Sequence, residues 1–358
     1  MTESRARFAA SRDPARARRN RIVNGGMMVS QENGSAVGTA SGFYPADQWP
    51  YVGIHDGAVQ VAQVASVTPE GSPNRIRVTV TTADTSIAAG QYAILLQKLE
   101  GFNVADFIWG TASAKATILR VGVKAPAGTY GVSIRNNATD RSVVANMVIS
   151  GGEANTDVVK TLVFTGDTAG TWTKDNTAGM IMTIALAAGS TFQGSLGVQA
   201  GSIIATSSQF NFLGTVGNVF ELFDVGFYLD PDATGAAPPW ELPDYADELR
   251  RCLWFWEKTY PRASPPGTAT SAGMMGAVAA SAGAILGTFV FKSPKRAAPT
   301  VTLYGESGTS GVISAVGGGN TAAATASGVT ESGFFQITTS GLTAGAVYYT
   351  HFKADSRL

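Results

Sequence analysis

The strongest constraint on this chain is a change of pattern inside residues 218–258, NVFELFDVGFYLDPDATGAAPPWELPDYADELRRCLWFWEK. It opens as a strand. Val219, Phe223, Val225, Phe227 and Leu229 are apolar at alternate positions and Glu221 interrupts the set, a run that suits a strand covered on most of both faces. Turn chemistry then stops it: Asp230 and Asp232 can bond their own backbone, Pro231 fixes φ, and Gly235 permits a positive φ. Pro238 and Pro239 form a stiff joint. The next segment predicts a short helix over 243–252, with Pro243 in its first turn. Asp244, Asp247 and Glu248 come early and Arg250 and Arg251 late, which matches the helix dipole. From Leu253 through Trp256 the pattern returns to strand. A strand therefore closes one domain, and a helix and strand open another.

The rest of the chain sets the fold class. Its 358 residues suit two domains, and 44% hydrophobic residues suffice for real cores. With 42 glycines and only 15% charged residues, the balance favours β-structure with many turns over helical bundles. Short apolar runs recur between Gly, Asn and Asp punctuation: Ile76, Val78 and Val80; the 92–99 run; Leu119, Val121 and Val123; Tyr130, Val132 and Ile134; then 143–149, 158–164 and 180–186. No fixed period relates them, which argues against a propeller or a long β-helix. The expectation is all-β: a jelly-roll β-sandwich over 21–230, a linker and short helix over 231–252, and a smaller β-domain over 253–358.

Two segments stand apart. Residues 1–21 hold seven arginines against Glu3 and Asp13, a net +5 in a chain of zero formal charge. Residues 1–20 carry almost no large apolar side chains, so they predict an arm that gains order only on a partner. Arg5, Arg7, Arg12, Arg16, Arg18 and Arg19 would supply its charge and Phe8 its one apolar anchor. Residues 271–291 form an uncharged run long enough for a membrane span. They are mostly Ala, Gly and Ser, however, and predict two strands about a Gly-rich turn, with no membrane insertion.

Catalytic patterns are missing. His55 and His351 are the only histidines, and both fit structural positions in a turn and a strand. There is no His-Glu-x-x-His, no Gly-x-Ser-x-Gly elbow and no Walker-type loop. No spacing singles out a carboxylate pair for glycoside hydrolysis. Cys252 is the single cysteine, which excludes an intrachain disulfide. Asp230 and Asp232 read as an Asx turn; a calcium ion on them is the alternative. Trp49 and Tyr51 flank Pro50 in what reads as a loop, where they would either stack on a sugar or cap the sandwich. Trp254 and Trp256 share one face of the expected strand and should bury in a core or against a second copy. The chain is read as a non-enzyme that needs no cofactor.

Several phrases together carry a resemblance: NRIVNGGMMVSQ, TTADTSIAAGQYAILLQKLEG, WGTASAKATILRVGVKAPAGTYGVSIRN, TLVFTGDTAGTW, LAAGSTFQG and ELPDYADELRRCLWFWEKTY. In combination they resemble tailed-phage and prophage virion structural proteins of tail-fibre, head-fibre or spike type. The likeness covers about 21–260, with a looser echo in RAAPTVTLYG and HFKADSRL. It implies an oligomeric carbohydrate-binding-module-like jelly roll on a virion assembled in the host cytoplasm, in contact with other virion proteins; together with the apolar Leu253, Trp254, Phe255 and Trp256 to be buried, it leads to the expectation of a homotrimer. It carries over no catalytic or ligand residue. The expected function is a fibre or spike that touches host-surface polysaccharide without cleaving it and binds no nucleic acid. A capsid decoration or adaptor is the alternative, and a depolymerase fits a short, unrepetitive chain least.

Overall fold

The computed structural model of the protein describes residues 19–358. Its first part is built from β1 (Phe43–Ala46), β2 (Trp49–Ile54), β3 (Ala58–Ala65), β4 (Asn74–Thr82) and β5 (Tyr92–Glu100), followed by a one-turn helix α1 (Gly101–Val104). Then come β6 (Thr117–Lys124), β7 (Gly128–Arg135), β8 (Arg141–Ile149), β9 (Val158–Phe164), β10 (Ala178–Ala188), β11 (Gln193–Gly194), β12 (Gly197–Ala200), β13 (Ala205–Thr206) and β14 (Val219–Leu229). Two sheets face each other. One has seven strands in the order β1-β2-β5-β10-β7-β8-β12, the other five in the order β3-β4-β14-β6-β9. Neighbours such as β14 with β4 and with β6 are distant in sequence and antiparallel, as in a jelly roll. One continuous core fills the space between, with Leu95, Ile134, Met182 and Ile184 from one sheet and Val78, Leu119, Phe220, Leu222 and Phe227 from the other.

β14 is buried along nearly its whole length. Its alternation is not uniform. Asp224 has φ +48°, and the pairing with β6 slips between Phe223 and Gly226. This bulge exchanges the two faces. Phe220 and Leu222 point into the core before it, and Val225, Phe227 and Leu229 after it. Phe223 is left on the outer face beneath the Arg75 guanidinium, 4.6 Å from its ring centroid. Glu221 is 2% exposed and is held by Arg75 at 2.9 Å and Arg77 at 2.6 Å. The N-terminal segment runs along the bulge, Val225 N–H donating to Gly25 O at 3.0 Å; a Cβ on Gly25 would meet Val225 O at 2.2 Å, so only glycine fits.

After Asp230 the link runs to helix α2 (Tyr245–Leu253). Asp244 caps it by accepting from Ala246 N at 2.8 Å and Asp247 N at 3.1 Å. The helix thus starts at Tyr245, beyond Pro243, and continues through Leu253, where the sequence reading had already returned to strand. The second part follows: β15 (Trp256–Lys258), β16 (Met275–Ser281), β17 (Ala284–Val290), β18 (Thr300–Tyr304), β19 (Ser314–Ala315), β20 (Thr325–Ser327), β21 (Gly333–Thr338) and β22 (Val347–Asp355). β22 is its hub, pairing with β15, β16, β18 and β19. Phe289, Phe291, Phe334 and Phe352 centre its core. The apolar run at 271–291 forms the β16–β17 hairpin, and no helix among the described residues is long and apolar enough to cross a membrane.

The two parts are joined through the segment before β1. Val23 and Val29 pack with Cys252 and Phe255. Gln31 bridges the carboxylate of Asp47 at 2.6 Å and the carbonyl of Trp256 at 3.1 Å, and Arg357 reaches Glu32 at 2.6 Å.

Candidate functional site: the cleft between the two parts

Helix α2, the segment at 19–23, the end of β5 with α1, and Ser293 and Pro294 enclose a cleft of about 830 Å³. That is the size of an ordinary small-ligand site. β5 ends at Glu100, which is 4% exposed. The Trp254 indole N–H donates to Glu100 Oε2 at 3.3 Å, while Glu100 Oε1 is buried without a partner among the described residues. Burial raises the pKa of this carboxyl; the Trp254 bond and the nearby Arg296 oppose the rise. Phe102, on α1 beside it, is 65% exposed. Asn103 accepts from Arg19 at 2.8 Å, and Arg250 stands at the rim bonded to Asp247 at 2.8 Å. An open ring, a half-buried indole, a carboxylate with unused acceptor capacity and guanidinium donors therefore line one cavity. Rings of this kind pack against the C–H face of a sugar, and the polar groups suit its hydroxyls.

The residues singled out in the sequence fall elsewhere or change role. Trp49 and Tyr51 lie in strand β2, not in a loop, and are 0% and 1% exposed. Trp49 donates to Asn24 O at 3.2 Å and Tyr51 OH pairs with His55 Nε2 at 2.6 Å, so neither ring has a face to offer a sugar. Trp256 is 1% exposed inside the chain, with Arg357 above its ring, and Trp254 is the C-cap of α2, so the two share no strand face. The shared aromatic strand face expected there for a second copy therefore does not form. Arg5, Arg7, Phe8, Arg12, Arg16 and Arg18 lie outside the described residues; Arg19 is within them and lines the cleft.

Asp230 accepts from Thr234 N at 3.0 Å and Gly235 N at 2.9 Å, an Asx turn. Burial pushes its pKa up, but these bonds outweigh it and the net shift is downward. No group of three or more His, Cys, Asp or Glu among the described residues could hold a metal ion. His351 stacks on Tyr260 at 3.7 Å and bonds Thr270 O at 3.0 Å, a buried structural position.

No family model matches the chain, and no curated protein does. Among solved structures it is similar to the enzymatically active domain of tailspike protein 4 of bacteriophage CBA120, at 14% identity over 59% of this chain with a TM-score of 0.32. The matched region spans 21% of that tailspike chain. A putative sugar-binding protein from Bacteroides thetaiotaomicron is similar at 14% identity over 59% of this chain and 100% of its own, with a TM-score of 0.30. A CBM4 structure is similar at 12% identity over 58% of this chain and 99% of its own, with a TM-score of 0.27. These are likenesses at low identity, and no residue role is carried over from them.

Sequence reasoning missed Glu100, Phe102, Asn103 and Arg250. The signal available was small: a charge, a glycine and a phenylalanine directly after the apolar 92–99 run. Nothing local shows that α2 and Pro294 close over them.

Proposed function

We propose that this chain is a non-catalytic virion structural protein of a tailed phage, a fibre or spike component that holds host-surface glycan in the cleft between its two parts. The observation that carries the binding role is the unpartnered Glu100 Oε1 in the wall of a cavity flanked by the open Phe102 ring. A sugar ring stacked on Phe102 would donate hydroxyls to Glu100 and Asn103 and accept from Arg250. Hydrolysis would need two carboxylates flanking one bond. The second acid of this cleft, Asp247, is exposed and tied to Arg250, which favours binding over cleavage. The virion location rests on the sequence resemblance. The proposed homotrimer draws support from an apolar row across strands β22, β16 and β17 of the second part: Val347 opposite Val278, at 37% and 51% exposure, with Leu286 at 54% on the next strand.

A glycan array of host-surface polysaccharides with the wild-type protein tests this reading. Binding is expected, Phe102→Ala should lose it, and no reducing ends should be released. A clean null with folded protein rejects the glycan role and leaves a decoration or adaptor. Release of reducing ends rejects the non-catalytic reading.

A further inference from the structure

The outer face of the seven-stranded sheet carries two cations in one row. Ile181 on β10 is opposite Lys98 on β5 and Arg135 on β7, so the three side chains form one row. Arg135 is 9% exposed, and among the described residues its bonds go only to hydroxyls, Ser202 at 2.8 Å and Thr183 at 3.1 Å, with its Nε left without a partner. The Lys98 ammonium has no hydrogen bond or ion pair among the described residues. Burial, and then repulsion from Arg296 and Arg135, lowers its pKa.

At the end of this row lies a cavity of about 140 Å³, lined among others by Gln48, Lys98, Pro50, Val52 and Leu96. Gln48 is the telling residue. It sits in the two-residue turn between β1 and β2 with φ +69°, where glycine would fit without strain. The chain instead has a glutamine there, 6% exposed, whose Nε2 is buried without an acceptor among the described residues. A strained backbone that holds an unsatisfied donor at a cavity wall is a reason to look for a ligand. Arg357 also lines the cavity, but its charge is met by Asp355 at 3.0 Å and Glu32 at 2.6 Å.

We propose that Gln48 and Lys98 form a second saccharide subsite, specific for the anionic group of an acidic sugar, a carboxylate or a sulfate ester. The anion accepts from Gln48 Nε2 and pairs with the Lys98 ammonium, and the sugar's apolar face lies on Pro50, Val52 and Leu96. This subsite is independent of the cleft.

Isothermal titration calorimetry on the full chain tests it with galacturonate, galactose and inorganic sulfate as probes. Galacturonate or sulfate should bind with a Kd of about a millimolar, and galactose should give no heat. Preference between the two anions identifies the group. Lys98→Met and Gln48→Gly should each weaken binding about tenfold or more. Because Gln48→Gly relieves the positive φ, its Tm should stay at or above wild type, so lost binding cannot be lost fold. Phe102→Ala should titrate as wild type. No heat with either anion, or Lys98→Met binding as wild type, overturns the subsite; loss of binding in Phe102→Ala overturns its independence from the cleft.

Discussion

The Glu248 carboxylate accepts the backbone N–H of Asn24 at 2.5 Å, which fastens helix α2 to the first turn of the sandwich. Asn24 has φ +57° and is wholly buried. Its amide accepts from Val29 N at 3.0 Å and donates to the carbonyls of Val29 at 2.7 Å and Asp47 at 3.1 Å. An asparagine can thus stabilise a left-handed position through its own side chain. Glu248 meets the remaining donor and is paired with Arg251 at 3.1 Å, and Arg251 in turn donates to Ile22 O at 2.7 Å.

Glu248→Ala leaves the buried Asn24 N–H without its acceptor and takes one partner from Arg251, whose side chain is 38% exposed. The expected loss is about 3 kcal/mol. Urea denaturation checks it: the variant should unfold in two steps as the parts separate, where the wild type unfolds in one. A single transition at an unchanged midpoint would show that the apolar contacts of Val23, Val29 and Phe255 hold the junction alone.

Asp47 sets a pH dependence at the same junction. Burial raises its pKa from 3.8 to about 6, against two stabilising bonds from Gln31. A carboxyl whose folded pKa lies above its unfolded one binds protons more tightly when folded. Its contribution is therefore fully present below about pH 4 and is lost as the pH rises through about 6. From pH 5 to 7 this group alone should lower stability by about 1–2 kcal/mol. Asp47→Asn should flatten that slope in thermal melts over the same range, and a slope identical to wild type rejects the assignment.

Much of the architecture is legible in the sequence because burial and punctuation are local. The β14 run, the Asp230 turn and the caps of α2 are each encoded within a few residues. What fails is also physical. The apolar odd positions of β14 predict uniform alternation, but Asp224 takes a left-handed conformation and exchanges its faces. Pro50 suggested a loop, yet β1 beside it pairs with β2 only at Phe43–Tyr51 and Ala46–Trp49, so the missing N–H of Pro50 breaks no registered pair. The aromatic run after Leu253 looked like one strand because side-chain size says nothing about the helix C-cap at Trp254. The cleft was invisible for a different reason: its walls come from residues near 20, 100, 250 and 294, and only the packed fold brings them together.

Self-association is tested by separating the two tryptophan positions from the apolar row. Trp256 is buried within the chain, so Trp256→Ala should destabilise the fold by about 3–5 kcal/mol at any protein concentration. Val278→Arg places a charge on an exposed position of β16 and should leave folding within about 0.5 kcal/mol. In light scattering the wild type is expected as a trimer and Val278→Arg as a monomer. A monomeric wild type at micromolar concentration rejects the trimer, and a trimeric Val278→Arg moves its interface elsewhere.

The stretch that composition sets apart, residues 1–20, includes a residue of the sandwich. Asn20 belongs to the sandwich: its side chain donates to Val225 O at 3.1 Å and accepts from Ile22 N and Phe227 N at 3.0 Å each, beside the β14 bulge. A chain starting at Arg19 should keep the wild-type Tm and oligomeric state. One starting at Arg21 loses all three bonds and should be less stable by about 1–3 kcal/mol. Under the virion role proposed above, the charge of residues 1–18 suits bidentate arginine contacts to carboxylates on a neighbouring protein. The Arg19 start is therefore expected to fold normally and fail to enter particles. Full occupancy in particles would reduce the arm to a tail, and an Arg21 start as stable as the Arg19 start would show that Asn20 contributes nothing to β14.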